Sequence, residues 1–393
     1  MKQSPRGRNF FFGPGPTNIP DSVLHATARA TVDFNDADFL ALYEQCVEGL
    51  KHVLGTRHHV FLYTASGHGA WEATLANLCA QGDRLLMVES GYFSDDWTKM
   101  ALKFGLAVET LPADWRRGID LGDLRRRLAA DTEKEIRALC IVHNETSTGV
   151  RLPLEEVRGL LDETDHPALL LADTISSLGS MEFRMDAWGI DAVVGGSQKG
   201  LMLPTGFSFT AVSDKAMAAH VRANLPRFYF DWTEMLHRRQ KSFCGTLPVS
   251  LFFGLQEALR LLEEEGLPAV FARHHRLAEG VRRAVSAWGG NAGPQLFCTD
   301  PARVSDSVTA VLMPEGHDAE AIRQNALRRF NVALGGGLGP LNGKVFRIGH
   351  LGDLNEPMVL GALGAVEMSL GLNRVPHSRG GLDAAMAWFA EAA

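Results

Sequence analysis

Four short apolar runs set the terms for what this chain can fold into: residues 85–88, 138–142, 168–172 and 192–194. None alternates apolar with polar, so each fits a strand covered on both faces rather than one with a wet side. The segments between them carry helical spacing instead. Over 37–54, Phe39, Tyr43, Cys46, Val47, Leu50, Val53 and Leu54 fall on one face, and Gly55 supplies the stop. Helices are also predicted over 121–130 and 154–161, from Ser66 with Trp71, Leu75 and Leu78 on a buried stripe, and from near Asp95. Further strands are predicted at 59–63, 107–111 and 206–212. Strands and helices in alternation give an α/β architecture, a mostly parallel sheet with helices on both faces.

Each buried strand runs out into polar residues, and in such sheets ligands sit off the carboxyl ends of the strands. Ser66-Gly67-His68-Gly69 opens a helix whose free N–H groups favour a phosphate, although the same residues serve as a plain cap. It is neither a P-loop nor GxGxxG. Phe93, in the loop after 84–89, suits either the core or the face of a flat ring. The cluster His143-Asn144-Glu145-Thr146-Ser147-Thr148 is more polar than a turn requires. Asp173 closes one buried run, and Lys199 follows another after Gly195-Gly196. Alone, Lys199 reads as a surface lysine and Asp173 as a helix cap. Together, at two strand ends, they are the pair needed to hold pyridoxal phosphate. The lysine forms a Schiff base, and the aspartate pairs with the protonated ring nitrogen.

Beyond a helix at 247–264 the pattern changes to a smaller α+β unit. It comprises helix 268–288, strand 306–312, helix 318–329, a glycine run at 335–339 read as a tight turn, strand 344–348 and helix 356–371. Arg347 stands mid-strand, where it needs either a salt bridge across the sheet or a substrate carboxylate to clamp. Residues 9–20, NFFFGPGPTNIP, are too dense in Gly and Pro for a regular element and read as an extended arm. Residues 224–246, aromatic without a period, read as a surface or interface loop. The expected division is an arm over 1–20, a large domain over 21–255 and a small domain over 256–393.

The net charge of −7 comes without a basic block, which argues against nucleic-acid and anionic-membrane partners. Five isolated cysteines without CxxC spacing argue for reduced thiols in a cytoplasmic setting, and against a disulfide framework or a metal site. The three phenylalanines before GPGP are too few for a signal core, and no apolar stretch reaches about 18 residues.

With these residues in hand, the chain resembles the class V, fold-type I pyridoxal-phosphate aminotransferases, in particular the alanine/serine/aspartate–glyoxylate branch. The likeness runs through GPGPTNIP at 13–20, SGHGAWEA at 66–73, HNETSTGV at 143–150, DTISSLGSMEFRMDAWGID at 173–191, GSQKG at 196–200 and KVFRIGHLG at 344–352. It implies a mostly parallel seven-stranded sheet in the large domain and a smaller C-terminal α+β domain. It makes Lys199 the Schiff-base lysine and Asp173 the partner of the pyridine nitrogen. Ser66, Gly67, His68 and Gln198 match phosphate-binding positions, and Thr246 reaches the phosphate from the neighbouring subunit of a homodimer with shared sites, with pairing into a tetramer left open. Phe93 matches the aromatic on the ring, Ile175 the aliphatic residue behind it, and Thr146 the hydroxyl beside it. Arg347 matches the clamp for the substrate α-carboxylate, and Gly15 lies in the arm that covers the site. The implied activity is a ping-pong transamination from a small amino acid such as serine or alanine to a 2-oxo acid such as glyoxylate or pyruvate.

Two departures stand out. Phe243 replaces a family tyrosine, which removes one phosphate hydroxyl. Phe34-Asn35 replace a His-Arg pair at the substrate entrance, and losing that cation favours a neutral donor over aspartate. Aspartate–glyoxylate and pyridoxamine–pyruvate exchange are the neighbouring reactions. The rival enzyme class is a class V lyase or cysteine desulfurase. Desulfurases carry His immediately before the lysine, where this chain has Gln198, and a nucleophilic cysteine on a mobile loop, whereas Cys298 reads near a strand. Cofactor-sensing regulators of this fold carry a DNA-binding domain ahead of it, and about 20 residues precede the fold here.

Overall fold

The computed structural model describes residues 9–238, 245–290 and 292–391, together with 7, 240 and 243. Seven strands form the larger sheet, in the order His59–Tyr63, Ser208–Val212, Ala192–Gly196, Leu169–Asp173, Ile136–Val142, Arg84–Glu89 and Ala107–Pro112. Ser208–Val212 runs antiparallel to both its neighbours, and every other pairing is parallel. Successive side chains of the central strands go to opposite faces. Leu170, Ala172 and Val193 join the core beneath helices Ala37–Leu54, Leu154–Glu163 and Val249–Glu265, whereas Leu169, Leu171, Ala192 and Val194 join the core beneath Gly67–Leu78 and Tyr92–Lys103. Both faces are therefore dry, which is why these strands read as continuous apolar runs.

The second sheet is ordered Phe10–Phe12, Val332–Gly336, Val345–Gly349, Val308–Leu312 and Gln295–Leu296. Its core includes Leu277, Val281, Ile322, Phe346, Val359 and Leu363, drawn from the sheet and its covering helices.

Four expectations need correction. Residues 9–20 contain a strand, because Phe10–Phe12 pairs in parallel with Val332, Ala333 and Leu334 and buries Phe12 completely. Three residues are too few to show a period. Gly335 and Gly336 belong to a strand rather than a turn, since the arm crosses here and a Cβ on Gly335 would meet Pro14 Cδ at 2.6 Å. The stretch 224–246 contains a short helix, Trp232–Leu236. Trp232 is fully buried, stacks on Phe61 at 4.9 Å and donates to Tyr63 Oη at 2.8 Å. Five residues again leave no helical period to detect. The helix expected near Asp95 begins at Tyr92, because the Ser94 hydroxyl accepts from the Gly91 N–H and caps it earlier. The structure also has helices at Asp21–Thr27, Asp214–His220 and Gly381–Glu391, where the sequence pattern predicts none.

Past Phe12 the arm lies in a channel cut by glycine. A Cβ on Gly349 would stand 2.5 Å from Gly13 O and 2.8 Å from Pro14 Cα, both rigid backbone atoms. Gly349→Ala should therefore lower the unfolding midpoint in denaturant by the equivalent of about 1–3 kcal/mol. Gly364→Ala, with nothing within 4 Å, should be neutral or gain up to about 1 kcal/mol from helix propensity. Equal midpoints for the two variants would show that the arm is not packed this way.

Candidate active site

Asp173 is the last residue of Leu169–Asp173 and pairs in register with Val194 of the next strand, so Lys199, five residues further on, emerges at the same sheet edge. The strand ends open into a cavity of about 260 Å³. Lys199, Asp173, Gly15, Thr146, Ile175 and Gln198 line it, joined by Ser66, Gly67, His68 and Phe93 from the adjoining helix starts. Ten residues singled out from the sequence thus meet in one place.

The Lys199 side chain is buried, and its Nζ donates to the carbonyl of Pro14 in the arm. Gly15 has φ +113°, and any Cβ there would collide with the Lys199 side chain, so the arm can approach only as glycine. Burial lowers the Lys199 pKa to about 7; the Arg347 charge adds to this, while Asp173 and Glu145 oppose it.

Asp173 moves the other way. Burial raises its carboxyl to about 7, countered by N–H donors and by the Lys199 charge, and reinforced by Glu145. Oδ1 accepts from the Ile175 N–H at 2.7 Å, and Oδ2 accepts from the Trp71 indole at 2.7 Å. Among the described residues no cation lies in ion-pair contact with it, so a cation placed against this carboxylate would hold it ionised.

Thr146 Oγ1 donates to Ser176 Oγ at 2.8 Å, and Ser176 Oγ in turn donates to Asn144 O at 2.8 Å. Asn144 Nδ2 donates to both Ser176 Oγ and Ser307 Oγ at 2.9 Å, which ties this cluster to the smaller sheet. Glu145, fully buried, accepts from the Phe93 N–H at 3.1 Å and from the Ser147 hydroxyl at 2.7 Å. Burial raises its pKa, and these donors oppose the rise.

Arg347 stands beside the cavity without lining it. The salt bridge weighed for it is not found among the described residues; Nε donates instead to Gly336 O at 2.7 Å and Nη1 to Thr146 O at 3.0 Å. Two neutral carbonyls orient the guanidinium without cancelling its charge. Burial brings its pKa down to about 10. A buried cation held this way is suited to an incoming carboxylate.

The end of the cavity at the start of helix Gly67–Leu78 is more open. Ser66 is exposed, precedes helix Gly67–Leu78 and makes no capping bond with its side chain. Gly67 backs onto Ile175, which a Cβ would strike. His68 is 51% exposed, 3.6 Å from Asp96. Gln198 Oε1 is buried without a partner.

Phe34, Asn35 and Thr246 do not line the cavity; Asn35 and Thr246 are exposed, and Phe34 packs partly against the core. Phe243 is buried in the core, 6.3 Å from Phe252. Sequence reasoning passed over Trp71 and Ser176 as site residues and singled out Asn144 only as a member of the polar cluster 143–148. Trp71 sits on the apolar stripe of its helix and so reads as core. Ser176 adjoins Ile175, which was singled out, and that adjacency was the available signal.

A family model for class V aminotransferases matches residues 9–339. The serine–glyoxylate aminotransferase of Methylorubrum extorquens is 44% identical, with 98% of this chain and 97% of that protein covered. The L-aspartate–glyoxylate aminotransferase of Paracoccus denitrificans is 43% identical, covering 92% and 91%. Among solved structures, pyridoxamine-pyruvate aminotransferase from Mesorhizobium loti superposes with a TM-score of 0.91 at 26% identity, with both chains covered in full.

The lowered pKa of Lys199 has a direct readout in the ligand-free protein. Below the midpoint the ammonium does not react with acetic anhydride, and above it the amine does. Peptide mass spectrometry across pH should place the Lys199 midpoint near 7, against about 10.5 for an unperturbed lysine. A Lys199 midpoint near the ordinary value would contradict the burial described here.

Proposed function

The chain belongs to the class V aminotransferases, and on that premise we propose that it binds pyridoxal 5'-phosphate at Lys199 and moves the amino group of serine or alanine to glyoxylate. The observation that carries this reading is the buried pair itself, Lys199 and Asp173, opening into one cavity at adjacent strand ends.

The residues present fit that group. Asp173 is a buried carboxylate with no cation in contact among the described residues, as a protonated ring nitrogen requires. The uncommitted Ser66 hydroxyl and the open hydrogen-bonding capacity of Gln198 lie by a helix amino terminus, where a phosphate is favoured. Phe93 and Ile175 offer apolar walls to a flat ring. Thr146 would stand beside the ring's substituents. Thr246, outside the cavity of its own chain, would serve the site of a second copy, making the working unit a homodimer.

When bound, the cofactor supplies an aldehyde carbon that carries the amino group and a ring that accepts the electron pair of a broken Cα–H bond. The protein's part is positioning and proton movement. Lys199 Nζ, close to neutral at physiological pH, takes the Cα proton as general base and returns one during the second half-reaction. Asp173 supplies the fixed negative charge that keeps the ring nitrogen protonated. Arg347 binds the α-carboxylate of donor and acceptor alike, so that each is presented to Lys199 in the same orientation. The arm residues Pro14 and Gly15 lie over Lys199 and keep water from it.

The donor reading rests on the resemblance, in which positions 34 and 35 correspond to a His-Arg pair at the substrate entrance. Phe34-Asn35 supply no cation for a second carboxylate, which supports serine or alanine over aspartate. Cys298 does not suit a desulfurase: it is buried, lies outside the cavity, and burial raises its thiol pKa.

Glycine formation from glyoxylate, followed with serine, alanine and aspartate in turn, tests the assignment. Serine or alanine should give the higher kcat/KM, and a strong aspartate preference would reverse the donor reading. Lys199→Ala should abolish turnover. Arg347→Ala should raise KM for acids with an α-carboxylate by about 10- to 100-fold, the value of a lost charged hydrogen bond, with a smaller effect on kcat.

A further inference from the structure

Trp71 is 1% exposed within helix Gly67–Leu78, and its indole Nε1–H donates to Asp173 Oδ2 at 2.7 Å. Its ring is clamped. Trp97 stacks on it at 5.6 Å and 12°, Phe93 meets it edge-on at 6.4 Å, and His68 leans on it at 4.5 Å. One side chain therefore touches the buried anion and two other residues of the cavity wall.

We propose that Trp71 is a positioning residue for Asp173: its indole N–H fixes the carboxylate and stabilises the ionised form, leaving the remaining lone pairs for the cofactor's ring nitrogen. This rests on the cavity being a pyridoxal-phosphate site. The two oxygens of Asp173 are held by different means. Oδ1 is bound by the backbone N–H of Ile175, which any substitution but proline leaves in place, and Oδ2 by the side chain of Trp71. A hydrogen bond to a buried carboxylate favours the charged form, and removing the donor leaves a desolvated oxygen without compensation.

The other charged and titratable groups around Asp173 cannot take over that role. Glu145 opposes ionisation and Lys199 favours it. The Arg347 charge bears on Lys199 and is not among the influences on Asp173, and its guanidinium is committed to Gly336 O and Thr146 O. His143 is fully buried, neutral and committed to Ser177 Oγ at 2.9 Å. His68 stands 3.6 Å from Asp96 and makes no hydrogen bond to Asp173 among the described residues. A phenyl ring at position 71 would preserve most of the packing and lose only the donor.

Trp97 supplies the control. It is equally buried and stacks on the same indole, yet among the described residues its Nε1 has no hydrogen-bond partner, so Trp97→Phe removes packing and no bond seen there. The experiment is to strip the purified protein of cofactor, titrate pyridoxal 5'-phosphate back from pH 5.5 to 9, and read affinity from tryptophan quenching and cofactor absorbance. Trp71→Phe should weaken binding about 10-fold at neutral pH and move the pH at which affinity is lost upward by about one unit. Trp97→Phe should keep the wild-type pH profile, whatever its effect on thermal stability. Trp71→Leu lacks the same N–H and replaces the phenylalanine variant should that one not fold. A Trp71→Phe profile that superimposes on those of wild type and Trp97→Phe would overturn the role of Trp71 while leaving the cofactor reading intact. A wild-type protein that binds no pyridoxal phosphate would overturn both.

Discussion

The structure depends on keeping four ionisable side chains out of water at the edge of one sheet. Lys199, Asp173, Glu145 and Arg347 are all buried, and among the described residues none forms an ion pair with another. Holding a group ionised in this way is costly, and the pKa values of Lys199, Asp173 and Glu145 accordingly shift toward the neutral forms. The four side chains stay there because neutral groups hold them by hydrogen bonds: carbonyls for Lys199 and Arg347, N–H and hydroxyl groups for Asp173 and Glu145. The surrounding packing fixes those groups. A site built so is primed for a ligand bringing the complementary charges, because binding relieves the uncompensated burial instead of competing with water.

The two sheets are made into one site by the amino-terminal arm. Phe10–Phe12 forms an edge of the smaller sheet, and two residues later Pro14 offers its carbonyl to Lys199 in the larger unit. The Arg347 guanidinium reaches back to Thr146, and Asn144 to Ser307. The carboxylate clamp is thereby placed relative to the lysine by hydrogen bonds across the boundary and not by chain connectivity. Glycine at 15, 335 and 349 lets the backbones come close enough for this.

What could be read in advance follows from which signals are local. The central strands declared themselves because a sheet dry on both faces needs unbroken apolar runs, and long amphipathic helices such as Ala37–Leu54 carry several turns of periodicity. Elements of three to seven residues had none: Phe10–Phe12, Asp21–Thr27 and Trp232–Leu236 take shape only because a partner surface is present. Gly15, Ile175 and Gln198 were named through the resemblance to class V aminotransferases, whereas Ser66, Gly67, His68, Thr146, Asp173 and Lys199 could be picked out because polar groups after buried strands are out of place unless used. Trp71 could not, since an indole on an apolar stripe looks the same whether its N–H is satisfied by a carboxylate, by a carbonyl or by nothing. Trp97, with no partner among the described residues, lies in the same cluster.

The order of apolar and polar residues along the chain was therefore enough to determine the sheet, its two covered faces and the edge where chemistry-bearing side chains collect. Pattern records which groups must leave water, and that is a property of each segment. Which carbonyl receives the lysine, which carboxylate oxygen faces an indole, and that the arginine leans on Thr146 and Gly336 instead of an acid were decided by tertiary structure alone. Those contacts join residues from 11 to 201 positions apart, as Arg347 does with Gly336 and with Thr146. Their geometry exists only after both sheets have packed and the arm has been laid between them.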